Sequence, residues 1–180
     1  QVSMNKKIYK YFAFITLSLI IGCSVNAEDL RRIVSLSGEW QFSIGDDASW
    51  ASPSYNDSDW DHITVPGSWE DEGYSDYNGY AWYRRTFNPG TLPVNTNLFL
   101  MLGRIDDAEE VYLNGKMIGK NGKFPPEYET AYSLSRKYAI PASLLKEDGN
   151  NVIAVRVYDS YNEGGIVDGP AGIYYDEDNE

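Results

Sequence analysis

The chain has one cysteine and one histidine among its 180 residues. With Cys23 alone, no intrachain disulfide is possible. The pair gives almost no material for a His/Cys zinc site, or for Cys-His or Ser-His nucleophilic catalysis. Basic charge is also scarce, with 15 Lys+Arg against 27 Asp+Glu and a net charge of −12. Lys6, Lys7 and Lys10 are the only charges before Glu28, so the rest of the chain sets 12 basic residues against 27 acidic ones. Such a surface repels phosphates, which excludes nucleic acid as a partner and leaves an anionic membrane no electrostatic attraction. At 180 residues the chain is too short for a (β/α)8 barrel, which needs at least ~200. Any function that depends on such a barrel must be supplied from elsewhere.

The first segment has a definite pattern. Met4-Asn5-Lys6-Lys7 is a short basic start, with Gln1-Val2-Ser3 lying upstream of it. Residues 11–21 form an apolar stretch of 11 residues, too short for the ~20 of a spanning helix. Together they read as a secretory signal over residues 1–27. Two cleavage sites compete. Ile20-Ile21-Gly22-Cys23 resembles a bacterial lipobox, in which Cys23 becomes the lipidated first residue. Val25-Asn26-Ala27 suits ordinary signal peptidase. The only cysteine falls at the lipobox position, which favours lipidation. Either route predicts an exported protein, in the periplasm or at the cell surface, touching membrane only through a lipid on Cys23.

Beyond Glu28 no helical apolar period persists over three turns. Short β-rich runs alternate instead with Gly, Pro, Asn and Asp clusters. Strands are expected at 38–44, 81–87, 97–102, 110–113, 116–118, 137–140 and 151–158. The run Asn97-Leu98-Phe99-Leu100-Met101-Leu102 predicts a strand covered on both faces. Asn114-Gly115 predicts a tight hairpin, because both positions of that turn need φ > 0. Single helical turns are expected at 57–60, where Asp57 can cap, and at 141–145, with Pro141 at the first helical position. Trp40, Trp60 and Trp69 are expected in the core, and Arg84 and Arg156 are expected to pair with carboxylates. The fold class predicted is all-β: one antiparallel β-sandwich or jelly roll over residues 28–175, with 176–180 a linker start or truncation.

Six motifs in order carry a family resemblance. They are Leu36-Ser37-Gly38-Glu39-Trp40-Gln41-Phe42, Asp57-Ser58-Asp59-Trp60, and Val65-Pro66-Gly67-Ser68-Trp69 with Gly73-Tyr74. Then come Gly79-Tyr80-Ala81-Trp82-Tyr83-Arg84-Arg85, Val111-Tyr112-Leu113-Asn114-Gly115, and the run from Gly149 to Val157. In this order the chain resembles the sugar-binding, galactose-binding-like jelly-roll domain of glycoside hydrolase family 2, the β-galactosidase and β-glucuronidase family, across residues 33–175. A second resemblance competes. Leu102-Gly103-Arg104-Ile105-Asp106-Asp107, and Tyr158-Asp159 running into Gly164-Gly165-Ile166, look like the related module of sialate O-acetylesterases. The first resemblance implies a sugar-positioning module whose two catalytic glutamates lie on a barrel domain absent from this chain. The second implies an accessory esterase module. A stand-alone glycan-binding lipoprotein is the non-enzyme alternative.

No catalytic residue is therefore assigned, and this chain alone is expected to be inactive. In some family 2 β-galactosidases the jelly roll lends an Asn and an Asp to the active site. The Asn position falls here on Ala81, a departure from the family pattern. Asp168 matches the Asp, with shorter spacing to Gly172-Ile173. The glycan-binding candidates are Tyr77 and Tyr80 as stacking platforms, and Glu163 and Asp168 as hydroxyl acceptors. They lie on the loops 73–82 and 162–169, where Gly164-Gly165 permits close backbone approach. The partners expected are a glycan or glycoside and the absent catalytic domain. Asp57-x-Asp59-x-Asp61 begins like a calcium loop, but His62 and Ser68 stand at its sixth and twelfth positions, which excludes an EF-hand. No cofactor or metal ligand is assigned; a structural calcium using other groups is not readable from sequence. Asp106, Asp107, Glu109 and Glu110 read as a solvated acidic edge, and His62 as a surface residue.

Overall fold

The computed structural model of the chain describes residues 30–94 and 96–176. Its elements in order are β1 (Arg31–Ser35), β2 (Gly38–Ile44), a 3-10 turn η1 (Ala48–Ala51), β3 (Asp61–Val65), β4 (Gly79–Phe87) and β5 (Asn97–Asp106). β6 (Ala108–Leu113), β7 (Lys116–Asn121), β8 (Ser135–Ile140), a second 3-10 turn η2 (Ala142–Leu144), β9 (Asn151–Asp159) and β10 (Gly165–Asp176) follow. They form two sheets, β1-β10-β5-β8 and β3-β2-β4-β9-β6-β7. Every pairing between these strands is antiparallel. The architecture is the β-sandwich that the strand-and-turn pattern predicts.

Period-2 alternation explains why these runs form strands. Trp40 and Phe42 of β2, and Ile153, Val155 and Val157 of β9, point between the sheets. Leu98, Leu100 and Leu102 of β5 meet them from the other side. Trp69 and Tyr83 complete this core, with Phe42 edge-on to Tyr83 at 4.9 Å. The Asn114-Gly115 turn has φ of 50° and 80°, as a type I′ hairpin requires.

Several expectations are corrected. Phe99 and Met101 of β5 are only half-buried on the outer face, where the Lys137 ammonium sits 4.1 Å from the Phe99 ring centroid. Residues 57–60 make a hydrogen-bonded turn and no helix, since β3 begins directly afterwards. Pro141 is the cap of the three-residue turn η2 rather than its first residue. Trp60 lies half-buried on the outer face of the larger sheet, beside Trp50, Tyr55 and Trp82. The acidic run at 106–110 is no solvated edge, because Asp107 and Glu109 are buried. Three strands are absent from the sequence reading, β1, β3 and β10. The last is interrupted by irregular register on both sides of Asp168, where glycines and Pro170 give the sequence a loop-like look.

Candidate functional site

The residues of interest gather at one end of the sandwich, where β4 and β6 start and β9 stops. Gly79 lies opposite Asp159, Ala108 opposite Tyr158, and Gly165 of β10 opposite Asp106 of β5. Two loops close this end, 66–78 and 160–164. Trp69 joins them: its backbone N–H donates to the Gly164 carbonyl at 3.1 Å, and its indole N–H donates to the Tyr77 carbonyl at 3.2 Å. Glu70 adds a carboxylate that accepts the Gly164 N–H at 3.0 Å. Only glycine fits at 164, since a Cβ there would lie 2.2 Å from the Trp69 ring.

On the outer face of the larger sheet, strand alternation brings aromatic rings together. The Tyr80 ring lies 5.4 Å from Phe124 and 4.8 Å from Tyr158, and Tyr128 lies 5.7 Å from Tyr158. The Arg156 guanidinium packs over both Tyr80 (4.8 Å) and Phe124 (4.4 Å). Asp46 holds that guanidinium through contacts of 2.7 and 2.5 Å, and Glu110 through one of 3.1 Å. Beside these rings runs a groove of about 440 Å³ lined by Glu109, Glu110, Asn121, Lys123, Phe124 and Glu127, among others. Half-buried rings bordered by carboxylates, an amide and an ammonium are what a sugar needs: an apolar face to stack on, with hydroxyl partners at the rim.

Behind the patch, one oxygen from each of Asp106, Asp107 and Asp159 lies within 4.8 Å of the others, so these carboxylates are close enough to share a cation. Their acidities diverge. Burial pushes Asp106 up to about 7, with a hydrogen bond to Asp107 and the charges of Asp107, Asp159 and Glu163 adding to it. Burial also lifts Asp159 to about 6; the Tyr161 N–H opposes the rise, and the charges of Asp107 and Glu70 add to it. Burial would raise Asp107 as well, but hydrogen bonds from Thr130, Tyr128, Asp106 and Ser160 outweigh it and hold this group down at about 2.

The four expected ligand residues are not brought together as a set. The Tyr77 ring packs 5.8 Å from Trp69, and its hydroxyl donates to the Tyr80 carbonyl at 2.6 Å, beneath the aromatic patch. Tyr80 lies in the patch itself. Glu163 is exposed on the 160–164 loop, with its charge felt at Asp106. Asp168 stands on β10, exposed and 3.4 Å from Arg104. Arg84 pairs with Asp57 at 2.7 Å. Cys23 and the signal segment lie outside the described residues. Sequence reasoning missed Phe124, Tyr128, Tyr158 and Arg156 as neighbours of Tyr80. The Phe124-Pro125-Pro126-Glu127-Tyr128 stretch directly after β7 was the available signal, since its loop can only fold back beside β6 and β9.

A family model described as the β-galactosidase second all-β domain matches residues 45–163. A β-galactosidase of Bacteroides ovatus is 29% identical over 139 residues, covering 71% of this chain and 15% of the relative. A Vibrio vulnificus β-galactosidase is 32% identical over 128 residues, covering 56% of this chain and 12% of the relative. The chain thus spans about one seventh of the length of the curated relatives it matches. Among solved structures, a Bacteroides uniformis β-glucuronidase superposes with a TM-score of 0.62 at 22% identity, over 82% of this chain and 18% of that one. A Bacteroides vulgatus β-glycosidase gives 0.55 at 29% identity, over 79% and 20%. The esterase resemblance finds no support among these relatives.

Proposed function

We propose a function from one premise: the chain belongs to the family of the β-galactosidase second all-β domain. It acts as the non-catalytic sugar-positioning module of a family 2-like glycoside hydrolase, with hydrolysis carried out by a barrel domain beyond this chain. The observation that carries the reading is the family match over residues 45–163, on a sandwich whose end presents Tyr80, Phe124, Tyr158 and Arg156 beside a polar groove. The ligand is a β-glycoside, stacked on Tyr80 and Phe124. Tyr77 supports Tyr80 from below and Glu163 takes hydroxyls at the rim, while Asp168 on β10, paired with Arg104, stands apart from the stacking patch. The protein is exported, and Cys23 carries its lipid anchor. Support for export is the basic start and apolar stretch of residues 4–21.

NMR titration with methyl β-galactoside and methyl β-glucuronide tests the glycan reading. Few side chains converge here, so a dissociation constant near ~1 mM is expected. Shifts should centre on Tyr80, Phe124 and Arg156. Tyr80→Ala should remove them while leaving the melting temperature within a few degrees. Shifts confined to another face, or binding untouched by Tyr80→Ala, would place the ligand elsewhere.

A further inference from the structure

We propose that Asp106, Asp107 and Asp159 form a binding site for a divalent cation of calcium size. The site does not rest on the glycan reading. Spacing is the first support. One oxygen from each carboxylate lies within 4.8 Å of the others. Two oxygens on one Ca²⁺, each at about 2.4 Å, can lie up to about 4.8 Å apart, so the three carboxylates can share one such ion.

The second support is an orphaned atom. Asp159 is 0% exposed, and its Oδ1 accepts the Tyr161 N–H at 3.2 Å. Its Oδ2 is buried and has no hydrogen-bond partner among the described residues. A buried acceptor left unmade is costly, and more so when it is ionised, so a native fold keeps one where something else satisfies it. Glu70, whose charge acts on Asp159, carries a second such oxygen, Oε1.

The third support is charge. Arg136 is committed to Glu109, Arg156 to Asp46 and Glu110, and Lys123 to Glu129. Arg136 reaches this cluster only at the Asp107 carbonyl, 3.2 Å away. Asp107 is also fixed in place. Thr130 donates to its Oδ1 at 2.5 Å, and Ser160 donates to its Oδ2 through both N–H (3.0 Å) and hydroxyl (2.8 Å). Hydrogen-bonded carboxylates of this kind are how protein sites orient metal ligands. The three side chains supply three of the six to eight oxygens that Ca²⁺ takes, and water supplies the rest. The bound ion would join the β5–β6 corner to the end of β9, next to the aromatic patch.

The test uses the full chain, stripped with chelator and then titrated with Ca²⁺ by calorimetry and by thermal melting. Tyr-sensitised Tb³⁺ luminescence gives a third readout. Saturating Ca²⁺ should raise the melting temperature by about 5 °C, and Mg²⁺ should do less. Asp159→Asn and Asp106→Asn should each weaken Ca²⁺ binding at least about tenfold. Without Ca²⁺ both variants should melt at or above the parent temperature, because each removes one of the repelling charges. That outcome separates a cation site from a merely structural carboxylate. The proposal is overturned by no heat and no shift at Ca²⁺ on the order of 10 mM. It is equally overturned by binding that both variants retain, or by variants that melt lower without Ca²⁺.

Discussion

Glu109 on β6 and Arg136 on β8 form a fully buried ion pair that ties one sheet to the other. Arg136 Nη2 and Nε lie 2.8 and 2.9 Å from the same Glu109 oxygen, and both side chains are 0% exposed. The other Glu109 oxygen accepts from Asn121 at 3.0 Å and from the Tyr138 hydroxyl. The remaining guanidinium donors reach the carbonyls of Ala131, Leu134 and Asp107. Removing one partner leaves an uncompensated buried charge. Glu109→Gln or Arg136→Met should therefore each cost about 3–5 kcal/mol. Urea denaturation measures this, and the double substitution should cost clearly less than the sum of the two.

Gly164 and Trp69 offer a steric test. A Cβ at 164 would fall 2.2–2.3 Å from two indole carbons, while one at Gly38, whose φ is +113°, would meet nothing within 4 Å. Gly164→Ala should thus displace the indole and cost about 1–3 kcal/mol as overpacking. Gly38→Ala should cost backbone strain alone, of order 1 kcal/mol. Tryptophan fluorescence should separate them, changing with the first substitution and not with the second. Equal spectra would mean that the 160–164 loop yields rather than the ring.

How much of this was legible in the sequence differs by element. β2 and β9 alternate cleanly, and Asn114-Gly115 names its own turn, so local chemistry alone placed them. β10 hides because Gly169, Pro170 and Gly172 lie inside it, and the pairing with β5 overrides them through an irregular register. The Glu109–Arg136 pair hides for another reason. Glu109 occupies an inward position of β6, but a charge there reads as an exposed face until its partner, 27 residues on, is known. The same holds at the candidate site. Tyr80 was visible as an aromatic in a loop-to-strand segment. Tyr158 reaches it only through the β4–β9 register, and Phe124 only because the segment after β7 folds back. Asp159 follows directly on the expected strand 151–158, and nothing local marks one of its oxygens as unpartnered.

Asp46 predicts part of the acid sensitivity. Burial alone would raise it, but hydrogen bonds from Arg156 and Trp82, with the Arg156 charge, outweigh that and hold the carboxyl below its ordinary value. The folded state therefore favours the ionised form. This contribution is fully present above the ordinary Asp range near pH ~4 and is lost as the pH falls through the lower folded value. The gap in melting temperature between the parent chain and Asp46→Asn should be widest at about pH 6 and narrow steadily towards about pH 2. A gap that stays constant with pH would show that the substitution acts by packing and not by charge.

The hairpin at Asn114 separates backbone strain from side-chain bonding. The amide of Asn114 donates to the Leu144 carbonyl at 2.7 Å and to Asn151 Oδ1 at 2.8 Å, and its carbonyl oxygen accepts the Val152 N–H at 2.9 Å. These three bonds join the β6–β7 turn to η2 and to the start of β9. The residue also holds φ at 50°, which Asn tolerates better than most side chains. Asn114→Gly keeps the backbone conformation and loses all three bonds, so about 1.5–4 kcal/mol of destabilisation is expected. Asn114→Ala loses the same bonds and adds the left-handed penalty of about 1 kcal/mol. Chemical denaturation of both variants should rank Ala below Gly by that margin. If the two are equally stable, the φ of 50° is not what selects this residue. If both match the parent, the three hydrogen bonds contribute nothing net, and only the neighbouring Gly115 holds the turn.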